Sequence, residues 1–450
     1  MTTTLPGPAV RPRWWHPLAL LGPAFVASIA YVDPGNVAAN LTSGASYGYL
    51  LVWVLVLANG MAMLIQYQSA KLGIVTGRTL PEHVGARTRP WTRRAYWLQA
   101  EAVAAATDIA EVIGGALALN LLFGLPLVVG GVIVGVVSMG LLLVQSHRRQ
   151  RTFEFVIVGF LAVIAIGFLA GLFVSDVDWG AAADGLVPRF DGTATVLLAA
   201  SMLGATVMPH AIYLHSALAR DRHHADYAAF AERTDFTRGQ KTLENAQDGA
   251  SSAHSWDVGD GEGGAGRLRM LLRVTRTDVL IALLIAGVVN ISMLLLAAAS
   301  LRGVAGTDTI PGAYDAIRAA LGPGIATIFA IGLLASGLAS TSVGAYAGSV
   351  IMKGLLTVRV PILARRAVTL VPALAVLAGG IDPTWALVLS QVFLSIGIPF
   401  ALIPLIRLTG SRAVMGEFVD RLPVRILAWV VVALIVALNV VLIVLTVTGA

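Results

Sequence analysis

The chain has 450 residues, of which 57% are hydrophobic and 12% charged, with a net charge of +6 and no cysteine. Soluble domains carry about 25% charged residues, so this composition excludes an ordinary soluble enzyme, a nucleic-acid binder and a disordered chain. The missing cysteines exclude disulfides, iron–sulfur clusters and thiolate metal sites.

Apolar runs such as 425–448 and 124–144 exceed what a soluble core needs and match helices crossing about 30 Å of hydrocarbon. Eleven helical spans are predicted, at 18–43, 46–71, 96–122, 124–144, 153–174, 194–219, 278–301, 322–352, 366–381, 384–408 and 425–448. The first apolar run leads straight into more membrane sequence, so it reads as a span and not as a cleaved signal peptide. Of the 31 Lys and Arg, only Arg189, Arg302 and Arg318 fall in the gaps on one side. The others lie in the tail at 1–17, in gaps on the opposite side or at adjoining helix ends, as with Arg93, Arg94 and the run from His147 to Arg151. The positive-inside rule then makes the N-terminus cytoplasmic and the tail after Thr448 external. Residues 220–276 are polar and read mainly as a cytoplasmic loop, with a short helix near 225–233. The histidines there, His223, His224 and His254, suit a solvated loop better than a metal cluster. Only three of the basic residues are lysine, an arginine bias typical of GC-rich bacterial genomes.

The informative features are two helix breaks. Asp33-Pro34-Gly35-Asn36 interrupts the first span and Met208-Pro209-His210 the sixth. Proline has no N–H and clashes with the carbonyl four residues back, so Pro34 frees the carbonyl of Ala30 and Pro209 that of Ala205. In hydrocarbon a freed carbonyl must find another partner or line a polar cavity. Breaks in spans one and six are what an inverted repeat of five plus five helices would give, with an eleventh helix appended. The repeats would cover 18–174 and 194–408, followed by a last helix in 425–450. Asp33, Asn36 and the carbonyls of Ala30 and Ala205 offer oxygen ligands, and Met208 offers a thioether. That mixed set suits a borderline transition metal such as Mn²⁺ or Fe²⁺, although flexible packing is the simpler role for a lone methionine.

The third span holds Glu101, Asp108 and Glu111, spaced seven and three so that they share one helical face. Acids inside a membrane helix are costly and usually functional. Arg365 and Arg366 open the ninth span and offer counter-charges. The same pattern suits ion pairs that merely hold two helices together. His210 reads as a proton carrier, a metal ligand or a packed histidine, and His215 as structural. Asn59 and Asn290 either hydrate a vestibule or bond between helices.

The two motifs, in spans one and six of an eleven-span chain, resemble the paired signatures of natural resistance-associated macrophage proteins. That resemblance implies an all-α membrane protein with the LeuT-like fold that carries divalent metals together with protons. It implies a metal site at Asp33, Asn36, Met208, Ala30 and Ala205, joined in some conformations by Gln391. It also implies a proton route from Asp33 and His210 through Glu111 and Asp108 to Arg366, with Glu101 and Arg365 further along. The expected setting is a bacterial cytoplasmic membrane. The expected partners are metal ions, protons and lipid, with no nucleic acid, no evident protein partner and no cofactor besides the transported ion. Met208 argues against the related branch that carries Mg²⁺.

Three other classes compete less well. An intramembrane enzyme would need a motif such as His-Glu-x-x-His, which is missing. A channel needs no proton relay. A sodium-coupled amino-acid carrier of the same fold would not place a fixed carboxylate opposite a methionine.

Overall fold

The computed structural model describes residues 22–146, 150–234, 262–356 and 362–448, and all regular structure among them is helical. Two half-helices come first, α1 (Pro23–Ile29) and α2 (Pro34–Tyr47), joined by a 3-10 turn over Ala30–Val32 and by Asp33. They are followed by α3 (Val52–Thr76), α4 (Leu80–Arg87), α5 (Pro90–Phe123), α6 (Leu127–Ser146), α7 (Gln150–Leu172) and the short α8 (Trp179–Asp184). A second pair of half-helices, α9 (Gly192–Thr206) and α10 (Pro209–Thr234), begins the other half. It continues with α11 (Glu262–Ser300), α12 (Ile310–Leu321), α13 (Pro323–Leu356), α14 (Ile362–Ala378), α15 (Pro383–Thr409), α16 (Arg412–Met415) and α17 (Leu422–Thr448).

Eight helical stretches among the described residues are long and apolar enough to cross a membrane, and shorter apolar helices lie at Pro23–Val32 and Leu127–Leu141. Helix stands at each of the eleven expected positions. In the polar stretch 220–276, α10 runs on to Thr234 and takes in the short helix expected near 225–233, whereas α11 already starts at Glu262, inside the expected loop. No glycine or proline interrupts 210–234, and its alanines favour continued helix. His254 and the glycine-rich run up to Gly261 lie outside the described residues, as do the side chains of His223 and His224. So do the tail at 1–17, the run His147–Arg149 and the last two residues.

The interior is built by α13 lying along α5, α10 along α3, α11 along α2 and α15 along α9. At the periphery, α6, α7 and α17 turn side chains such as Val136, Ile166, Val430 and Val440 outward, as lipid-facing helices do. Two further prolines sit inside α15. Pro399 frees the carbonyl of Ser395 and Pro404 that of Phe400. The first accepts a hydrogen bond from Asn439 Nδ2 on α17 at 3.0 Å, and the second from the Tyr213 hydroxyl on α10 at 3.4 Å. Asn439 in turn accepts from Ser395 Oγ at 2.9 Å. A buried Lys71–Asp420 pair at 2.6 Å ties α3 to the linker between α15 and α17.

The turn into α4 shows how local chemistry fixes a helix start. Thr79 and Glu82 form a capping box, with Glu82 Oε2 accepting from Thr79 N and Thr79 Oγ1 accepting from Glu82 N. One residue on, His83 is buried between Thr76 Oγ1 at 2.9 Å and Arg87 Nη1 at 2.7 Å. The Thr76 hydroxyl donates to Leu72 O. An imidazole that donates from Nε2 to Thr76 and accepts at Nδ1 from Arg87 satisfies all of these groups. Protonation would remove that acceptor and set a second cation beside the guanidinium. Burial, with Arg87 and Arg78 nearby, lowers the His83 pKa to about 3. The unfolded chain therefore binds the extra proton between about pH 6.5 and pH 3, and stability falls as pH drops through that window. His83→Gln should flatten this slope while keeping a neutral hydrogen-bonding side chain. Thermal unfolding of both proteins in detergent from pH 7 to pH 4 measures it, and equal slopes would remove His83 as the cause.

Candidate metal site and buried acid chain

Both breaks fall where the prolines require. After the 3-10 turn the backbone at Asp33 is extended, and the Asp33 carbonyl accepts from Val37 N to start α2. Likewise α9 ends at Thr206, and the Met208 carbonyl accepts from Ile212 N to start α10. Each break thus aims the carbonyl end of one half-helix and the amide end of another at the same region. Carbonyl ends attract cations and amide ends anions.

Asn36 joins the two breaks. Its Nδ2 donates to Asp33 Oδ1 at 2.7 Å and to the freed Ala205 carbonyl at 3.0 Å. Asp33 Oδ1 also accepts from Asn36 N at 2.8 Å, which makes Asp33 the N-cap of α2. From α15, Gln391 Nε2 lies 3.4 Å from Asp33 Oδ2. Gln391 Oε1 is buried without a hydrogen-bond partner among the described residues. Such an orphaned acceptor costs about 1–3 kcal/mol and suits a group that waits for a ligand. Two glycines permit this approach. A Cβ at Gly35 would sit 1.9 Å from Gln391 Nε2, and one at Gly204 would sit 2.0 Å from the Gln391 carbonyl.

Asp33, Asn36, Ala205 and Gln391 are therefore linked by direct hydrogen bonds. Ala30 lies in the 3-10 turn, and Met208 lies in the second break with no solvent exposure. No group of three His, Cys, Asp or Glu able to hold a metal stands among the described residues. A cation at the breaks would meet Asp33 and otherwise neutral donors.

Residues that the sequence left open complete the cradle. Asn290 Nδ2 on α11 donates to the Tyr31 carbonyl at 2.6 Å, and its Oδ1 accepts from Asn40 Nδ2 at 3.0 Å. It bonds between helices. Ser336 on α13 donates to the Val32 carbonyl at 2.5 Å. These two side chains saturate the unwound turn beside Ala30. Asp278 accepts from Gly22 N and Ala24 N at 3.3 Å each, where α1 starts. The Tyr31 hydroxyl accepts from Gln66 Nε2, whose Oε1 is 2.8 Å from His215 Nδ1, so His215 reaches the first break through one amide. Asn59 instead covers Gly287 on α11.

The acids of α5 lead away from the site. Glu111 is buried and lies within electrostatic reach of Asp33, Asp108 and Arg366. Asp108 Oδ1 pairs with Arg366 Nη1 at 2.9 Å, with both side chains buried. Arg366 Nε donates to Ser138 Oγ on α6 at 3.3 Å. Glu101 Oε1 pairs with Arg365 Nη2 at 2.9 Å, and the Glu101 side chain is 21% exposed. From Glu111 to Glu101 the helix climbs about 15 Å. The line runs from the breaks to the end of α5 that carries Arg93 and Arg94. His210 Nδ1 lies 3.4 Å from Thr107 Oγ1, beside Asp108.

Comparison with known proteins gives the family of the chain. The family model described as natural resistance-associated macrophage protein-like matches residues 24–445. A divalent metal cation transporter MntH of Mycobacterium tuberculosis H37Rv is 57% identical over 430 residues, covering 96% of this chain and 92% of the relative. The protein of that name in Bacillus subtilis 168 is 43% identical over 429 residues, covering 95% and 92%. A crystal structure of the Eremococcus coleocola manganese transporter matches with a TM-score of 0.78 at 30% identity, covering 97% of this chain and 88% of that one. The nucleobase-cation-symport transporter Mhp1 in a closed conformation matches with a TM-score of 0.52 at 16% identity, covering 85% and 77%, and shares the LeuT-like fold alone. The relatives are metal-ion transporters and not enzymes. This chain belongs to the natural resistance-associated macrophage protein-like family.

Proposed function

We propose that the chain imports divalent transition-metal ions, Mn²⁺ and with it Fe²⁺ and similar ions, by proton-coupled alternating access. The setting is a bacterial cytoplasmic membrane, with the N-terminus cytoplasmic and the C-terminus external. The two inverted repeats, 18–174 and 194–408, rearrange about the site between them. The observation that carries this reading is the Asn36 amide bridging a carboxylate from one helix break and a freed carbonyl from the other. Those two oxygens are what a cation would take in place of the amide hydrogens. Turning the amide about its Cβ–Cγ bond exchanges its nitrogen for its oxygen and supplies a third oxygen ligand. Ala30 O, Met208 Sδ and the unpartnered Gln391 Oε1 complete the set. The ion is the cargo, and no cofactor enters the scheme.

Proton movement belongs to the same charge balance. Asp33 binds the cation as a carboxylate, so a proton there must leave, and the acids of α5 give it somewhere to go. Glu111 is the nearest, then Asp108 against Arg366, then Glu101 against Arg365 near solvent, with His210 alongside. A negative-inside potential adds about 2.3 kcal/mol per charge per 100 mV to cation entry. The observed pairs at Arg365 and Arg366 also favour a second reading, in which they only clamp α14 to α5. Uptake of Mn²⁺ into proteoliposomes holding a pH-sensitive dye tests transport and coupling together. Metal entry without internal acidification would reject the coupled scheme.

Asp33→Asn removes the only carboxylate at the breaks. Mn²⁺ affinity by calorimetric titration should fall by more than about 100-fold, beyond the 10- to 100-fold loss seen for outer-shell partners. Binding at wild-type strength would take Asp33 out of the site. Asp108→Asn and Glu111→Gln should lower proton flux several-fold while Mn²⁺ affinity stays nearly unchanged. The opposite pattern would favour the clamp. Met208→Ala should keep reduced Mn²⁺ uptake, lose most Cd²⁺ uptake and let Ca²⁺ compete, because a thioether favours soft ions and gives hard ones little. If Ca²⁺ competes no better and Cd²⁺ uptake is undiminished, Met208 serves packing alone.

A further inference from the structure

A cavity of about 670 Å³ lies far from the breaks, where the end of α15 meets the start of α17. Arg407 and Arg425 stand at one end, and Ile426, Trp429, Val430 and Ala433 line the rest. Ile426, Trp429, Val430 and Ala433 fall one, four, five and eight positions beyond Arg425, so they run down one side of α17 for about 12 Å. The stem of Arg425 lies against Gly410, where a Cβ would sit 2.9 Å from its Cδ.

The charge of this corner is unbalanced. Arg407, Arg412, Arg421 and Arg425 are all exposed. The two acids of the linker are already engaged, Asp420 with Lys71 at 2.6 Å and Glu417 with Arg269 at 2.7 Å. None of the four arginines has an ion-pair partner among the described residues. The cavity thus has two uncompensated guanidinium groups at its mouth and an apolar floor. It adjoins a helix that also exposes apolar residues such as Leu427, Leu434 and Val440.

We propose that this groove binds one anionic phospholipid, its phosphate held by Arg407 and Arg425 and an acyl chain laid over Trp429, Val430 and Ala433. A free phosphate would leave the apolar floor exposed. A zwitterionic lipid would leave the positive charge of the mouth unbalanced. Arginine suits the role because its planar fork meets two phosphate oxygens at once. Basic pockets between membrane helices hold anionic headgroups by the same chemistry.

The full-length protein, delipidated in detergent, is titrated with dioleoylphosphatidylglycerol and, separately, with dioleoylphosphatidylcholine. Retained lipid is counted by native mass spectrometry. The wild type should hold one phosphatidylglycerol about tenfold or more tighter than phosphatidylcholine, given roughly fivefold for each arginine near a headgroup. Arg407→Gln with Arg425→Gln should erase that preference. Ala433→Trp, which fills the floor and keeps both charges, should weaken phosphatidylglycerol without changing thermal unfolding in lipid-free detergent. Inorganic phosphate at millimolar concentration should not displace the lipid. Equal retention of the two lipids, an unchanged preference in the double variant, or displacement by phosphate would each overturn the assignment.

Discussion

The structure depends on one constraint. Hydrocarbon holds no water to take up a carbonyl that proline has freed, so each freed carbonyl needs a partner from elsewhere in the protein. Here the partners come from other helices. Asn36 takes Ala205, Asn439 takes Ser395 and Tyr213 takes Phe400. The unwound turn beside Pro34 is held in the same way by Asn290 and Ser336. A break in one helix therefore becomes a bond between two. Interhelical bonds of this kind contribute only about 0.6–2 kcal/mol each in membranes, so they fix geometry more than they supply stability. What they fix is a small polar volume with one carboxylate, enclosed by apolar helices.

The buried charges show a similar economy. Asp108 and Arg366 are both withdrawn from solvent, and desolvating such a pair can cost as much as their attraction returns. Holding α5 against α14 would need nothing so expensive, since leucine side chains would do it. On the proposed proton route, an arginine fully buried beside two acids serves what those acids do. The two carboxylates are three residues apart on α5, and the oxygens Asp108 Oδ2 and Glu111 Oε2 have no hydrogen-bond partner among the described residues. Open acceptors on neighbouring acids are what a hopping proton requires.

Much of this was legible in the sequence, and the physical reasons separate what was from what was not. Proline acts on the carbonyl four residues back whatever the surroundings, so the breaks at Ala30 and Ala205 could be read locally. Three acids spaced seven and three share a helix face by geometry alone. The partners that complete the site could not be read in this way. Asn290 reaches the Tyr31 carbonyl across 259 residues and Ser336 reaches Val32 across 304. A serine inside a helix more often bonds back to its own backbone, as Ser340 does with Ser336 O. The only sequence signal was the demand itself: an unwound turn in a membrane must be satisfied, so some polar residue on a neighbouring helix had to face it. A short helix near 225–233 was legible, since nothing between His210 and Thr234 stops a helix, whereas the start of α11 at Glu262 was missed because polarity was taken for loop.

The last helix, α17, is the part that the reading by repeats treats as an addition. Its buried polar residue argues otherwise. Asn439 takes the one carbonyl that Pro399 frees, and that carbonyl belongs to Ser395, a single turn beyond Gln391. Gln391 approaches Asp33 over Gly35, and its own carbonyl lies against Gly204 at the end of α9. Helix α15 is thus held before Pro399 by the two half-helix systems at Gln391 and by α17 at Ser395, and beyond it by Tyr213 at Phe400. Without Asn439, the Ser395 carbonyl would have to turn toward another donor, and α15 would bend at the turn that carries Gln391. The last helix therefore bears on the position of a residue that approaches Asp33. An asparagine within 430–445, a stretch otherwise made of alanine, valine, leucine and isoleucine, follows from that requirement.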